Sequence, residues 1–205
     1  ALLGVNSYSG GTTVAAGTVL GTTGSLHGAI LNNANVEFDQ SVDGIYAGQM
    51  SGSGSLTKSG AGTLTLSGLN AYVGGTVVNA GTLAGDTNSI GGNVQNDATV
   101  EFNQNFDGAY VGEMSGIGAL TKSGAGIVRL AGENAYSGGT SVLGGALVGN
   151  ASSLQGTISN NAIVEFDQDI DGSYDGDMTG TGRLVKSGSG SLTLSGVNAY
   201  TGGTT

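Results

Sequence analysis

Cysteine, proline and tryptophan are missing from all 205 residues, and only five side chains are Lys or Arg. The lack of cysteine excludes a disulfide scaffold and a zinc–thiolate site. The lack of proline, without any strict glycine triplet, excludes collagen. Against the five bases stand 15 Asp and Glu, a formal charge of −10 that argues against nucleic acid and anionic membranes as partners. No apolar run approaches about 18 residues, so nothing reads as a membrane-spanning helix. The start does not read as a signal peptide either, having no basic end followed by an apolar stretch. What is plentiful is small: 42 Gly, 22 Ser, 21 Thr and 16 Asn make up almost half the chain. Gly costs about 1 kcal/mol at each helical position, and Ser, Thr and Asn divert backbone hydrogen bonds. The composition therefore predicts an all-β chain.

A repeat organises it. Asn70-Ala71-Tyr72-Val73-Gly74-Gly75-Thr76 recurs at Asn134 to Thr140 and Asn198 to Thr204, with a near copy at Asn6 to Thr12. Val-Glu-Phe begins at 36, 100 and 164, and Lys-Ser-Gly at 58, 122 and 186, so the period is 64 without gaps. The chain divides into units 1–64, 65–128 and 129–192 and a partial unit 193–205, expected to form a single β-helical segment 1–205 of a longer array. All seven Tyr, all three Met and three of the four Phe occupy repeated positions. A catalytic or cofactor residue is normally needed once, so these are read as packing elements.

Within a unit the apolar pattern has period two. In Thr63-Leu64-Thr65-Leu66 the leucines face one side, and in Thr99-Val100-Glu101-Phe102 Val and Phe face away from Thr and Glu. Gly-bearing turns separate such short strands, and no 3.6-residue period is sustained. A propeller blade of about 40–50 residues does not match 64, whereas a β-solenoid does, as about three coils of roughly 21 residues. Core strands are expected to begin near Thr63, Thr82, Thr99 and Ala119. Three coils at about 4.8 Å would set equivalent residues about 14 Å apart along the axis.

The stretch from Lys58-Ser59-Gly60 through Asn70-Ala71-Tyr72 and Gly74-Gly75-Thr76 to Leu83 closely resembles the passenger-associated transport repeat of Gram-negative autotransporters, with Met50 to Thr57 similar to its usual lead-in. The motif is complete at 58–83, degraded at 122–148, where Ile127, Arg129 and Ala131 depart from it, and truncated at 186–205. The resemblance implies a right-handed parallel β-helix on a cell-surface or secreted passenger, exported through an outer-membrane β-barrel translocator. It does not fix an activity, since passengers include adhesins and proteases.

The chemistry-bearing residues have plain alternatives. Asp167, Asp169 and Asp171, followed by Gly172, have the opening of a calcium loop. An EF-hand would place Glu at the twelfth position, where Met178 stands, and Asp, Asn and Gly are also turn residues. A solvated turn is the favoured reading, with these three aspartates as the calcium candidates. Glu37 and Asp39 share a strand face, as do Glu165 and Asp167, but the pairing repeats and no repeated base stands beside it in sequence, so acid–base catalysis is not expected. His27, the single histidine, has no sequence-local metal or triad partner and reads as an exposed turn residue. Lys58, Lys122 and Lys186 are expected to aid solubility or to pair with local acids. The Thr63-Leu64-Thr65 pattern of an ice-binding row is broken in later units at Ile127 to Arg129.

These readings converge on a non-enzymatic adhesive stalk without cofactors, whose partners are a host or bacterial surface ligand or a second copy of itself. The alternative is a non-catalytic scaffold of a secreted enzyme, such as a serine protease whose catalytic domain lies outside this stretch. Because the chain starts and stops inside a unit, uncapped end coils with salt-promoted end-on association are expected. Association between cells would instead use a flank along which outward Thr, Asn and acidic residues repeat.

Overall fold

The computed structural model describes residues 1–205, which form 26 short strands and no helix. The chain comprises two compact units, Ala1–Val100 and Glu101–Thr205, each a parallel β-solenoid. Strands begin at Thr63, Thr82, Thr99 and Ala119, the positions that the sequence marked. Alternation does the local work: Leu64 and Leu66 are fully buried while Thr63 and Thr65 are half-exposed. A buried residue such as Phe38 contributes roughly 1.5–3 kcal/mol by leaving water.

In the first unit one sheet stacks Thr12–Val14, Ile30–Asn32, Met50–Gly52 and Ala71–Tyr72. A second stacks Thr18–Gly21, Asn35–Asp39, Ser55–Ser59, Thr76–Val78 and Val94–Asn96. A third stacks Gly44–Tyr46, Thr63–Leu66 and Thr82–Gly85. The chain visits the three in turn, so each coil is three-sided. In the second unit Gly108–Tyr110, Ile127–Leu130, Ala146–Gly149, Ile163–Asp167 and Arg183–Ser187 form one sheet. Ala119–Ser123, Thr140–Val142, Ile158–Asn160 and Met178–Thr179 form another. Met114–Gly116 pairs with Ala135–Tyr136, and Gly172–Tyr174 pairs with Leu192–Leu194.

Register shows how the repeat fits the coil. Val36, Leu56, Thr76 and Val94 lie one above another, so three coils use the 58 residues from 36 to 94. The 64-residue period therefore overshoots three coils by six residues, one side of the triangle. Equivalent strands accordingly lie on different sheets. Thr12–Val14 is on the first sheet of its unit while its counterpart Thr76–Val78 is on the second. In the second unit Gly108–Tyr110 belongs to the five-stranded sheet and its counterpart Gly172–Tyr174 to the next side round. The expectation of about three coils per repeat stands, with one side added. The expected recurrence of outward residues along one flank does not, because each repeat is turned by a third of a circle.

Once per repeat a single tight turn replaces a strand. It occupies residues 22–26, 86–90 and 150–154 and shortens the coil from 20 residues, as in Ile30 to Met50, to 18, as in Thr12 to Ile30. Most of its amides are satisfied within the turn rather than by a ladder. Asn150 N donates to Ser153 Oγ (2.8 Å), Ser152 N to Asn150 Oδ1 (2.9 Å) and Leu154 N to Asn150 O (3.0 Å). Leu26, Ile90 and Leu154 anchor these turns in the core.

Candidate functional site

The repeated motif is a set of coil-to-coil fasteners. Asn70 accepts from Met50 N (2.8 Å) in the coil below and donates to Ser89 O (2.9 Å) in the turn above. Asn134 does the same with Met114 N and Ser153 O, both at 2.8 Å. Tyr72 and Thr76 share a buried hydroxyl–hydroxyl hydrogen bond of 2.7 Å, repeated at Tyr136 and Thr140. Between them Gly75 turns the corner at φ +80°, and a Cβ on Gly74 would meet the Gly54 carbonyl carbon at 2.5 Å. Burial pushes the Tyr72 phenol up to about 12, with the Thr76 bond pulling the other way, and raises Tyr136 as well. Tyr46 and Tyr174 are also raised by burial; their hydroxyls donate to Gly28 O (2.7 Å) and Gly156 O (2.5 Å).

The lysines depart from expectation. Lys58 and Lys122 are completely buried, because each falls in phase with the inward-facing Leu two residues earlier. Lys58 Nζ donates to Ser59 O (2.9 Å), Gly60 O (2.7 Å) and Ala80 O (2.9 Å), closing a corner around the three protons of one ammonium. Lys122 repeats this with Ser123, Gly124 and Gly144. Half-buried Lys186 donates to Ser187, Gly188 and Gln168. Burial lowers the pKa of Lys58, offset in part by Asp39, and that of Lys122. Solubility is therefore not the role of the two buried lysines. Their in-phase position beside Leu56 and Leu120 was the available signal.

Two further polar sets were missed. Asn32 donates to Ser55 O (2.7 Å) and accepts from Ala34 N (3.1 Å), as Asn160 does with Arg183 O and Ala162 N. Gln168 Oε1 accepts from Ala151 N (2.9 Å) and its Nε2 donates to Ile170 O (2.6 Å), so one carboxamide stands in for the peptide group of the missing strand. Gln40 does the same for Thr23 N (3.0 Å) and Val42 O (2.7 Å). Their recurrence at 64-residue spacing could have drawn notice.

Two of the three candidate calcium residues have structural partners. Asp167 is paired with Arg129 at 2.6 Å, across the intervening coil that carries buried Val148, and accepts from Ser187 Oγ (3.3 Å). Asp171 Oδ1 accepts from Ser191 N (2.7 Å), the capping role that Asp43 plays for Thr63 N and Asp107 for Ile127 N. Asp169 lies beside them along a groove of about 520 Å³ with Glu133, Asn150 and Ser173, but no three carboxylates are grouped as metal ligands. Asp175 is held below the usual carboxylate range by Ser195 and then Ser173. Glu37, Glu101 and Glu165 each accept a serine hydroxyl from the next coil, at 2.7, 2.5 and 2.6 Å. His27 is half-buried, bonds to Gly24 O (3.1 Å) and sets its ring edge-on to Tyr8. Gln155, its counterpart, bonds to Ser152 O (3.0 Å). Apart from Asp169, these side chains are spent on joining coils and closing corners.

A family model described as the passenger-associated-transport-repeat matches residues 1–20, 56–84, 120–148 and 184–205. The adhesin autotransporter BmaC of Brucella suis biovar 1 (strain 1330) is 47% identical over 81 residues, which cover 38% of this chain and 2% of that relative. No solved structure matches. The matched residues contain the Asn-Ala-Tyr fasteners and the lysine-closed corners, while the acidic run from Asp167 to Asp177 lies between matches.

Proposed function

Because this chain is built on autotransporter passenger repeats, we propose that it is an adhesive stalk segment displayed on, or released from, a Gram-negative cell surface. One observation supports a scaffold role above others: the repeated polar residues are consumed in coil-to-coil hydrogen bonds that recur with the same geometry in successive repeats. A catalytic centre needs a group used once, and the unrepeated Arg129 is paired with Asp167 across one coil. The relative that aligns over 81 residues is an adhesin, which favours attachment over service to an enzyme domain. The partner is a host or bacterial surface ligand or a second copy of the chain, and the segment reaches the surface through an outer-membrane β-barrel. Residues 1–205 act as one segment of a longer repeat array.

The test uses the full-length protein on its native cells. Deleting residues 65–128 removes one repeat and joins equivalent positions, so surface display should persist. Deleting the whole stretch should reduce adhesion to host cells or settling of the bacteria at equal surface abundance. If adhesion and settling are unchanged at equal abundance, the adhesive reading is wrong.

A further inference from the structure

Where a turn replaces a strand, a ladder is left open. On one side of the second unit the turn at 150–154 stands in for a strand, so pairing stops at Ala135–Tyr136 and resumes at Gly172–Tyr174. Gly172–Tyr174 pairs only with Leu192–Leu194 of the coil that follows. Gly172 N donates to Ser191 O (2.9 Å) and Tyr174 O accepts from Ser195 N (3.1 Å), so both residues turn their backbone toward that coil. Backbone direction alternates along a strand, so the N–H and C=O of Ser173 point the other way, as on any sheet edge. Two grooves of about 520 and 310 Å³ lie there, both lined by Ala151 of the turn and by exposed Ser173.

We infer that Ser173, with Asp171 and Asp175 beside it, forms a docking edge for an extended basic peptide segment of a partner protein, which adds to the sheet as a strand. Main-chain hydrogen bonds to Ser173 hold such a peptide, and the neighbouring side chains select it. Asp171, Ser173 and Asp175 are all exposed and alternate along the chain, so they form one outward row with an acid at each end. Asp171 accepts from Ser191 N, and Asp175 from Ser173 Oγ and Ser195 Oγ, through Oδ1, which leaves Oδ2 of each for a cation. Lys or Arg at the facing positions of an added strand stands about 5 Å away, within reach of these carboxylates. Glu133 and Asp169, on the larger groove, add to the same field. A second copy of the chain is a poor occupant, because its own edge sets acids against acids and its formal charge is −10. The counterpart strand Gly44–Tyr46 has Asp43, Ile45 and Ala47 in the same places, a single acid, so the basic preference belongs to the later copy.

The probe is the peptide Thr-Lys-Val-Thr-Val-Lys-Thr with an N-terminal fluorophore and a C-terminal amide, titrated with the 205-residue chain. Its two Lys share a face at the spacing of Asp171 and Asp175. Saturable binding by fluorescence anisotropy is expected, with amide exchange slowed at 172–175 by NMR. A peptide with Glu in place of both Lys should bind about tenfold more weakly or worse. So should one N-methylated at its three central residues, which keeps every side chain and loses the ladder bonds. Asp171→Asn/Asp175→Asn keeps both Oδ1 acceptors and should weaken the basic peptide about tenfold. No saturable binding up to about 1 mM, equal binding of the Glu or the N-methylated peptide, an unchanged affinity in the double variant, or protection elsewhere than 172–175 overturns the inference. The two altered peptides leave the protein untouched, so they decide the matter even if the double variant misfolds. Only the use of this edge in attachment rests on the adhesive reading. Adhesion unchanged without residues 1–205 would remove that reading and leave peptide binding in place.

Discussion

Replacing Lys58 by Met keeps the length and apolar stem of the side chain and removes only the ammonium. Two carbonyls then lose their donor, Gly60 O and Ala80 O, now at 2.7 and 2.9 Å from Nζ, while Ser59 O, at 2.9 Å, keeps the bond from Gln40 N. A stranded buried acceptor costs about 1–3 kcal/mol, and the half-exposed residues that carry these carbonyls place each at the low end. The loss is about 2 kcal/mol, reduced because the variant no longer takes a charge out of water. A net destabilisation of about 1 kcal/mol is expected, which moves a urea midpoint down by about 0.5 M at ordinary slopes. Lys122→Met should match it, since its three bonds and complete burial are the same. Lys186→Met should cost less, since its half-buried ammonium is reached by water. A lysine that only kept the chain soluble would change stability by no more than about 0.5 kcal/mol. A Lys58→Met midpoint equal to the parent, or shifted less than that of Lys186→Met, would refute the corner-closing role.

Alkali should loosen the fold. Burial raises the pKa of Tyr46, Tyr72, Tyr136 and Tyr174 above the unfolded value near 10. Stability from these phenols is full below pH 10 and is lost at roughly 1.4 kcal/mol per pH unit for each of them as pH rises toward 12. Lys58 and Lys122, lowered by burial, act in the opposite direction below 10.5 but are fewer; equal urea midpoints at pH 9 and 11 would contradict this balance. Gln168→Leu removes the acceptor of Ala151 N and the donor to Ile170 O, an expected loss of about 2–4 kcal/mol with faster amide exchange at 150–154; protection unchanged there would show that the carboxamide does not replace the missing strand. Melting temperatures in chelator and in millimolar calcium should agree, as Asp167 and Asp171 already hold Arg129 and Ser191 N. A shift of more than a few degrees would give the aspartates a metal.

The fold was legible because its signals are local and repeated. Thr63–Leu66 alternates, Gly75 marks a corner, and a strict period of 64 residues without proline suits a continuous ladder. The third-turn overshoot was not legible, since it depends on coils of 18 and 20 residues whose difference comes from the turn at 22–26. No residue type announces that a strand has been replaced. Burial of Lys58 was also hidden, because a lysine in a polar repeat reads as solvated until its phase with Leu56 is considered. At Asp167 to Asp177 the charge density offered a ligand reading beside the favoured solvated turn, and Asp171 occupies the same capping place as Asp43 and Asp107.

The mismatch between coil and repeat also bears on how the chain finds its register. If 64 residues made a whole number of coils, like positions would stack on one side in every repeat, and displacement by a repeat would leave that side unchanged. Here each column is built from unlike residues. Phe38, Lys58, Val78 and Asn96 succeed one another on one side of the first unit. Sliding a strand by one coil would place Lys58 where no corner of carbonyls awaits it, or leave Asn96 without the turn that receives it. Either fault buries an unsatisfied polar group at about 1–3 kcal/mol, more for the ammonium. Polar residues inside the coil thus penalise misregistered pairings that an all-apolar interior would tolerate. In-register stacking of identical segments is the arrangement that favours fibrils, and the turned repeat avoids it between adjacent coils. The same geometry that spreads equivalent surfaces around the axis therefore distinguishes each coil from its neighbours while the chain folds.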